Sequence, residues 1–434
     1  MFSIAALLAW GSLSALAYTY VGYPLLVCCF ASWFGETSRK TAAVVGREKL
    51  PSVTVLIAAH NSERHVIQRI ENVLANDYPA ERIRVVVASD GSHDRTVDLV
   101  RSIDDPRVTC LSFTERRGKA MTLVHAVEQL GDRSADELLI FTDVTTRFAS
   151  DAILRIAENF RDPAIGLVTG HVTITDSQGR PSESLYWKCE MRVRSCEARL
   201  GIMLGASGAL YAMRFPLFVA PPSAVINDDL VFPTLVHLRH AVGIKFDPSA
   251  RAFAVGGEGL IAEFRRRRRI GAGAIQCLPV LKELFQRRHA KQAFAFVSHK
   301  WLRWMSPFFL IVAAISNACL IESTLYRIVA VLQVSAYGLA IIGAIMPKSS
   351  HNHLARITRA ATSFVVMNAA LASGFAQWVW RPQNAIWTPT LRPSSGSHTD
   401  AMSPVDSVAV PPPKLARWLP GALRTGSDSM RVGT

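Results

Sequence analysis

Between residues 50 and 150 the chain alternates short apolar runs with stretches of helical spacing. SVTVLIAA (52–59), RIRVVVASD (82–90), VTCLSF (108–113) and DELLIFTD (136–143) read as strands, with the continuous apolar character of strands buried on both faces. Between them, ERHVIQRIENVLAN (63–76), the stretch starting at SHDRTVDLVRSI (92–103) and KAMTLVHAVEQL (119–130) place apolar residues at helical intervals. Such alternation predicts an α/β domain with a mostly parallel sheet covered by helices. Ligands of such sheets bind beyond the carboxyl ends of the strands, and His60–Asn61, Asp90 and Asp143 all fall there.

Longer apolar runs bracket this region. Residues 2–35 are almost uncharged and long enough to cross a bilayer. The ALA at 15–17 resembles a signal-peptidase site, but no basic segment precedes it and the run continues well past it, which favours a retained helix. Three further runs lie at 305–321, 328–346 and 360–380, with Lys348, Arg356 and Arg359 between the last two. The distribution of basic residues then places 36–300 on the cytoplasmic side of a plasma or inner membrane, in a multi-pass protein. The expected organisation is an N-terminal transmembrane helix (1–35), a basic linker (36–49), a catalytic-type domain (50–260) and basic interfacial helices (261–304). C-terminal transmembrane helices (305–380) and a Ser/Pro/Gly-rich disordered tail (381–434) complete it.

Composition supports this layout. Half of the 434 residues are hydrophobic, 19% are charged and the mean hydropathy is +0.20, too apolar for a purely soluble globule. The net charge of +14 is concentrated at Arg39–Lys49 and Arg265–Arg303, beside the apolar runs. That placement favours lipid headgroups and phosphorylated substrates over nucleic acid. Seven cysteines without C-x-x-C or metal-ligand spacing argue against a disulfide framework or a zinc site, and for a reducing compartment.

Several short motifs carry chemistry. Asp90 in VVVASDGSHDRT could accept the imide N–H of a uracil, or cap a helix beginning near Ser92 or His93. Asp143 ends the run ELLIFTDVTTRF, with Thr145 rather than a second acid two residues on. INDDLVFP supplies the paired carboxylates Asp228 and Asp229, which also suit a helix N-terminus. The small residues of GASGALYAMR (205–214) permit close backbone approach, and five consecutive arginines (265–269) suit a membrane-surface patch. His171 and His299 read as structural and interfacial side chains.

Taken in order, PSVTVLIAAHNSERHVIQRIENVLANDYP, VVVASDGSHDRT, RRGKA, FTDVTTRF, GASGALYAMR, INDDLVFP and EFRRRRRIGAGAIQ resemble the membrane-bound branch of glycosyltransferase family 2 over about 50–300. The branch includes exopolysaccharide, cellulose and poly-N-acetylglucosamine synthase-like enzymes. The resemblance implies a GT-A fold and transfer of a sugar from a nucleotide sugar, with UDP-sugars expected, to a lipid-linked or growing saccharide. It implies that Ala59, His60, Asn61, Glu63, Asp90, Lys119, Asp143, Arg266 and Arg269 contact the nucleotide sugar. Gly205, Ser207 and Gly208 would face the acceptor. Asp143 matches the first Asp of the family's D-x-D motif and would bind Mg2+ or Mn2+, with Thr145 acting through a water. Asp229 matches the final Asp of the T-E-D motif, the base that deprotonates the acceptor hydroxyl, and Asp228 would raise its pKa.

Asn227 and Asp228 depart from that motif. Arg266-x-x-Arg269-Ile270 aligns with Q-x-x-R-W, where Arg269 would clamp the diphosphate. Ile270 replaces the Trp, which removes a stacking platform and points to single addition over polymerisation. Two rival expectations are a catalytically silent membrane assembly subunit and a polyprenyl-phosphate glycosyltransferase.

Overall fold

The apolar runs at 52–59, 82–90 and 136–143 form strands that bury both faces, and the run at 108–113 forms a half-buried edge strand. In β1 (Val53–Ala59), Leu56 and Ala58 enter one hydrophobic cluster while Val53, Val55, Ile57 and Ala59 enter the other. β2 (Ile83–Asp90), β3 (Val108–Phe113) and β4 (Leu138–Asp143) pair in parallel in the order β3-β2-β1-β4. The computed structural model describes residues 3–35, 50–131, 133–134, 136–176, 178–256, 259–346 and 352–380. The expected basic linker (36–49) and tail (381–434) lie outside the described residues.

Beyond β4 the sheet becomes mixed, with the full order β3-β2-β1-β4-β7-β6-β8-β5. β5 (Thr146–Phe148), β6 (Ile165–Thr175), β7 (Tyr211–Arg214) and β8 (Gly243–Val255) follow in sequence. β6 and β8 run parallel, whereas β7 is antiparallel to both β4 and β6, and β5 to β8. The parallel expectation therefore holds for β3-β2-β1-β4 and for the β6–β8 pair, and fails at β7 and β5. The reason is local: β7 follows a loop already at the carboxyl end of β4, so the chain re-enters the sheet from that end.

The helices α1 (Ile4–Ala17), α2 (Tyr23–Phe34), α3 (Val66–Leu74), α4 (Thr96–Arg101), α5 (Lys119–Leu130), α6 (Ala152–Glu158), α7 (Leu185–Arg199) and α8 (Asp228–His240) precede or cover the sheet. α9 (Leu260–Val280) and the short α10 (Ala290–Ala295) lead through a π-helical stretch, Phe296–Trp301, into α11 (Leu302–Ala318), α12 (Thr324–Ile345) and α13 (His353–Trp380).

Among the described residues two helices are long and apolar enough to cross a bilayer, Ile4–Phe34 and Thr324–Ile345. Only 17% and 6% of their apolar windows are buried, so neither is the core helix of a soluble domain. The other two predicted spans are also helical. However, α11 has 17 residues, short of the ~20 that a bilayer core asks for, and α13 carries Arg356 and Arg359 near its start.

Candidate functional site

The site is built at the carboxyl ends of β2, β1 and β4, where the N-terminal turns of α5 and α8 converge. At its centre is Lys119, the first residue of α5. Its Nζ lies 2.9 Å from Asp143 Oδ1 and 3.1 Å from Asp228 Oδ2, with only 14% of the side chain exposed. Burial opposes the charge on Lys119, but Asp143 and Asp228 outweigh it and hold its pKa above the ordinary lysine value. Asp228 is buried; burial drives its carboxyl above the usual range, Lys119 opposes this, and the like charges of Asp229 and Asp143 reinforce it.

Asp228 and Asp229 occupy the first turn of α8, where the positive end of the helix dipole favours carboxylates. Asp229 is half-buried. A Cβ on Gly208 would come 3.5 Å from Lys119 Nζ and 3.5 Å from Asp229 Cβ, so this glycine lines the same space.

The loop 205–208 is pinned around these groups. Ala206 N–H donates to the Asp229 carbonyl oxygen at 2.7 Å, and Ser207 N–H donates to Thr169 Oγ1 at 3.0 Å. Gly205 has φ of +78°, and a Cβ there would press on Leu230 and the Asp229 carbonyl. Pro233 explains why that carbonyl is available. It stands four residues after Asp229 inside α8 and lacks the N–H that would otherwise take the intrahelical bond.

Asp90 is also at the site's edge, in a different role from the local cap considered above. Its two carboxylate oxygens accept from the backbone N–H groups of Arg117 (2.7 Å) and Gly118 (3.0 Å). It therefore fixes the turn that delivers Lys119, where Gly118 has φ of +87°. His60 Nδ1 donates to the Asp90 carbonyl at 2.6 Å and, like Ala59, is buried.

Asn61 and Glu63 stitch the β1–α3 and β2–α4 loops together. Asn61 Oδ1 accepts from His93 N–H, Glu63 Oε2 accepts from Arg95 N–H, and Asp94 accepts from Glu63 N–H. Burial opposes the charge on Asp94, yet hydrogen bonds from Thr96 and the Glu63 N–H hold its carboxyl below the usual range.

The arginine run divides its work. Arg266 and Arg267 pair with Glu263, and Arg267 stacks on Tyr186. Arg268 donates to Gln377 on α13. Arg269 is half-buried and, among the described residues, has no ion pair or hydrogen bond. Its neighbour Ile270 abuts the site's rim: Asn227 Nδ2 reaches the Ile270 carbonyl at 3.4 Å, and Asn227 is the residue before Asp228.

Sequence reasoning missed Arg69 and Tyr211. Arg69, on α3, is buried, lies 3.9 Å over the Phe148 ring and donates to Thr142 Oγ1, one residue before Asp143. An arginine in an amphipathic helix carries no sequence mark of burial. Tyr211 stacks on Phe141, and among the described residues its buried hydroxyl has no hydrogen-bond partner.

Among the described residues no three His, Cys, Asp or Glu side chains stand close enough to hold a metal ion alone. A hard cation nevertheless suits the oxygens present. Asp143 and Asp228 already share one cationic centre, Lys119, and Asp228 Oδ2 has that ion contact without a well-formed hydrogen bond. Magnesium-type sites commonly use one or two carboxylates and complete the shell with water and substrate phosphate.

Comparison with known proteins bears on the family and the fold. Residues 54–211 match the family described as Glycosyl transferase family 2. An N-acetylglucosaminyltransferase of Rhizobium sp. (strain N33) is 30% identical over 174 residues, covering 38% of this chain and 37% of that protein. One from Rhizobium meliloti (strain 1021) is 28% identical over 175 residues, covering 38% and 40%. The chain thus spans about two fifths of the length of the curated relatives it matches. A mannosyltransferase from Pyrobaculum calidifontis, in complex with GDP-Man and Mn2+, superposes with a TM-score of 0.63 at 20% identity, covering 87% of this chain and 100% of that one. That likeness establishes a GT-A-like fold.

Proposed function

For a chain that carries a glycosyltransferase family 2 domain, we propose an inverting, membrane-anchored enzyme of polysaccharide biosynthesis. It would move a sugar from a nucleotide sugar to a lipid-linked or growing saccharide, from the cytoplasmic side of the membrane. The observation that carries this reading is Lys119 held between Asp143 and Asp228 at the strand ends, with Asp229 and Gly208 facing the same space. A UDP-sugar is the preferred donor, and UDP-N-acetylglucosamine is the first to try, because both Rhizobium relatives bear the name N-acetylglucosaminyltransferase.

The chemistry follows from charge. A nucleoside diphosphate leaves with two adjacent phosphates, and its departure needs cationic partners. Lys119 supplies one at the floor of the site, and Arg269, with no carboxylate to satisfy, supplies a planar guanidinium suited to phosphate. Mg2+ or Mn2+, held by Asp143 with Thr145 reaching it through water, would add further neutralisation of the diphosphate. Asp90 and His60 set the turn on which Lys119 rides, while Asn61 and Glu63 keep the flanking loops together.

Asp229 takes the proton of the acceptor hydroxyl as that oxygen attacks the anomeric carbon from the face opposite the diphosphate. The C–O bond to the acceptor forms as the bond to the diphosphate breaks, and the anomeric configuration inverts. Gly205, Ser207 and Gly208 let the acceptor approach. The apolar helices Ile4–Phe34 and Thr324–Ile345 favour an amphipathic acceptor delivered at the bilayer.

Asp229→Asn tests the assignment. With UDP-N-acetylglucosamine and a saccharide acceptor, UDP release falls by about 100-fold or more while the donor KM changes little. Retention of full activity by the variant would contradict a hydroxyl acceptor and favour a phosphate acceptor, which arrives already deprotonated.

A further inference from the structure

One ionic cluster of the protein lies outside the site. Glu190, in the middle of α7, is buried and ringed by basic side chains from the segment entering α11: His299, Lys300 and Arg303. His299 presents its second ring nitrogen to Glu197 Oε1 at 2.8 Å, so the imidazole bridges two carboxylates. Glu197 also accepts from the Tyr23 hydroxyl of the N-terminal apolar helix at 2.6 Å. Burial opposes the charge on Glu190, but Lys300, His299 and Arg303 hold its carboxyl well below the usual range. Ionised groups buried at the edge of a membrane-embedded bundle are costly to keep unless they have work there.

The cluster continues toward the acid pair. Glu190 Oε1 accepts from Arg194 Nε at 3.1 Å, and the same guanidinium donates through Nη1 to the Ala206 carbonyl at 3.2 Å. On the other side of the Ala206 residue, its N–H donates to the Asp229 carbonyl freed by Pro233. A continuous hydrogen-bonded path therefore runs from the membrane-proximal segment, through Glu190, Arg194 and the Ala206 backbone, to Asp229.

We propose that Glu190 and Arg194 are positioning residues that fix the placement of Asp229 according to how the membrane-proximal segment 296–303 is seated. This rests on the reading of Asp229 as the base. The arrangement has a physical use: an acceptor delivered at the bilayer and a base on the sheet need a fixed relation, and small displacements of a catalytic group are expensive in rate. A glycosyltransferase lacking the path would still bind its donor at Lys119 and Asp143, so loss belongs in turnover rather than donor binding.

The test uses the full chain in lipid nanodiscs with UDP-N-acetylglucosamine as probe, comparing wild type, Arg194→Met and Arg194→Lys. Arg194→Met is expected to lower kcat at least tenfold with donor KM within twofold, and to speed backbone hydrogen exchange selectively at 203–208. Arg194→Lys, which keeps a cationic donor, recovers part of the lost kcat. Wild-type turnover in Arg194→Met overturns the proposal. So does a joint change of kcat and KM with faster exchange throughout the domain, the mark of an ordinary stability contact. If the wild type itself releases no UDP from any UDP-sugar, the functional reading fails instead. The exchange at 203–208 then decides the path alone: selective acceleration supports it and unchanged exchange refutes it.

Discussion

At Asp228, burial and like charge work against ionisation while Lys119 works for it, and the net result is a raised carboxyl pKa. A carboxyl whose folded pKa exceeds its unfolded value makes the charged fold the costlier one above that folded pKa. The cost disappears as pH falls below the unfolded value of about 3.9. Asp228→Asn is therefore expected to raise the thermal midpoint at pH 7 by a few degrees, lose that advantage near about pH 4, and release UDP more slowly. Melting curves of both proteins at the two pH values check it, and a variant less stable at pH 7 contradicts it. Asp143, Asp228 and Asp229 were legible in the sequence because acids abutting apolar runs are conspicuous. The work of Asn61, Glu63 and Asp90 was not, since all three bind backbone N–H groups distant in sequence. The pairing of Lys119 with two carboxylates depends on α5 and α8 meeting, which no local pattern records.

Elements up to residue 150 follow the hydrophobic pattern closely: the strand at 108–113 and the helix at 119–130 have the expected limits. Later elements are harder to read. β8 carries Asp247 and Pro248 within it, and its pairing with β6 shifts register between Gly170 and His171. The basic run was read as a membrane-surface patch with Arg266 and Arg269 turned to the site, and its helix α9 also packs against α13 through small residues. A Cβ on Gly374 would lie 2.1 Å from the Arg268 carbonyl oxygen, and one on Gly271 would lie 2.7 Å from that of Leu371. Backbone is the obstacle in both cases, so the helices must separate to accept a methyl group. Gly374→Ala is expected to cost about 1–3 kcal/mol of stability. A lowered thermal midpoint in nanodiscs checks this, and an unchanged midpoint would mean that the two helices separate at no cost. α9 also holds the 224–227 segment through Gln276, so its seating reaches the residues just before Asp228.

At the scale of the whole molecule, a GT-A-like sheet presents its strand ends to a cluster of acids and one lysine, and apolar helices flank it in sequence. The first four strands, the helices between them and the apolar segments were readable because each depends on short-range periodicity. The return of β7 into the sheet and the ionic path from α11 to α8 were not, because they join residues far apart in the chain, as Phe141 with Tyr211 and Glu190 with Arg303. The central claim is that Asp143, beside Lys119 and Asp228, forms a cation-assisted nucleotide-sugar site. The most direct measurement is a calorimetric titration of the purified chain with UDP-N-acetylglucosamine, with and without Mn2+, for wild type and Asp143→Ala. The account predicts saturable binding that Mn2+ strengthens at least tenfold and that Asp143→Ala abolishes. Equal binding by the folded variant, or no binding of any UDP-sugar by the folded wild type, would contradict it.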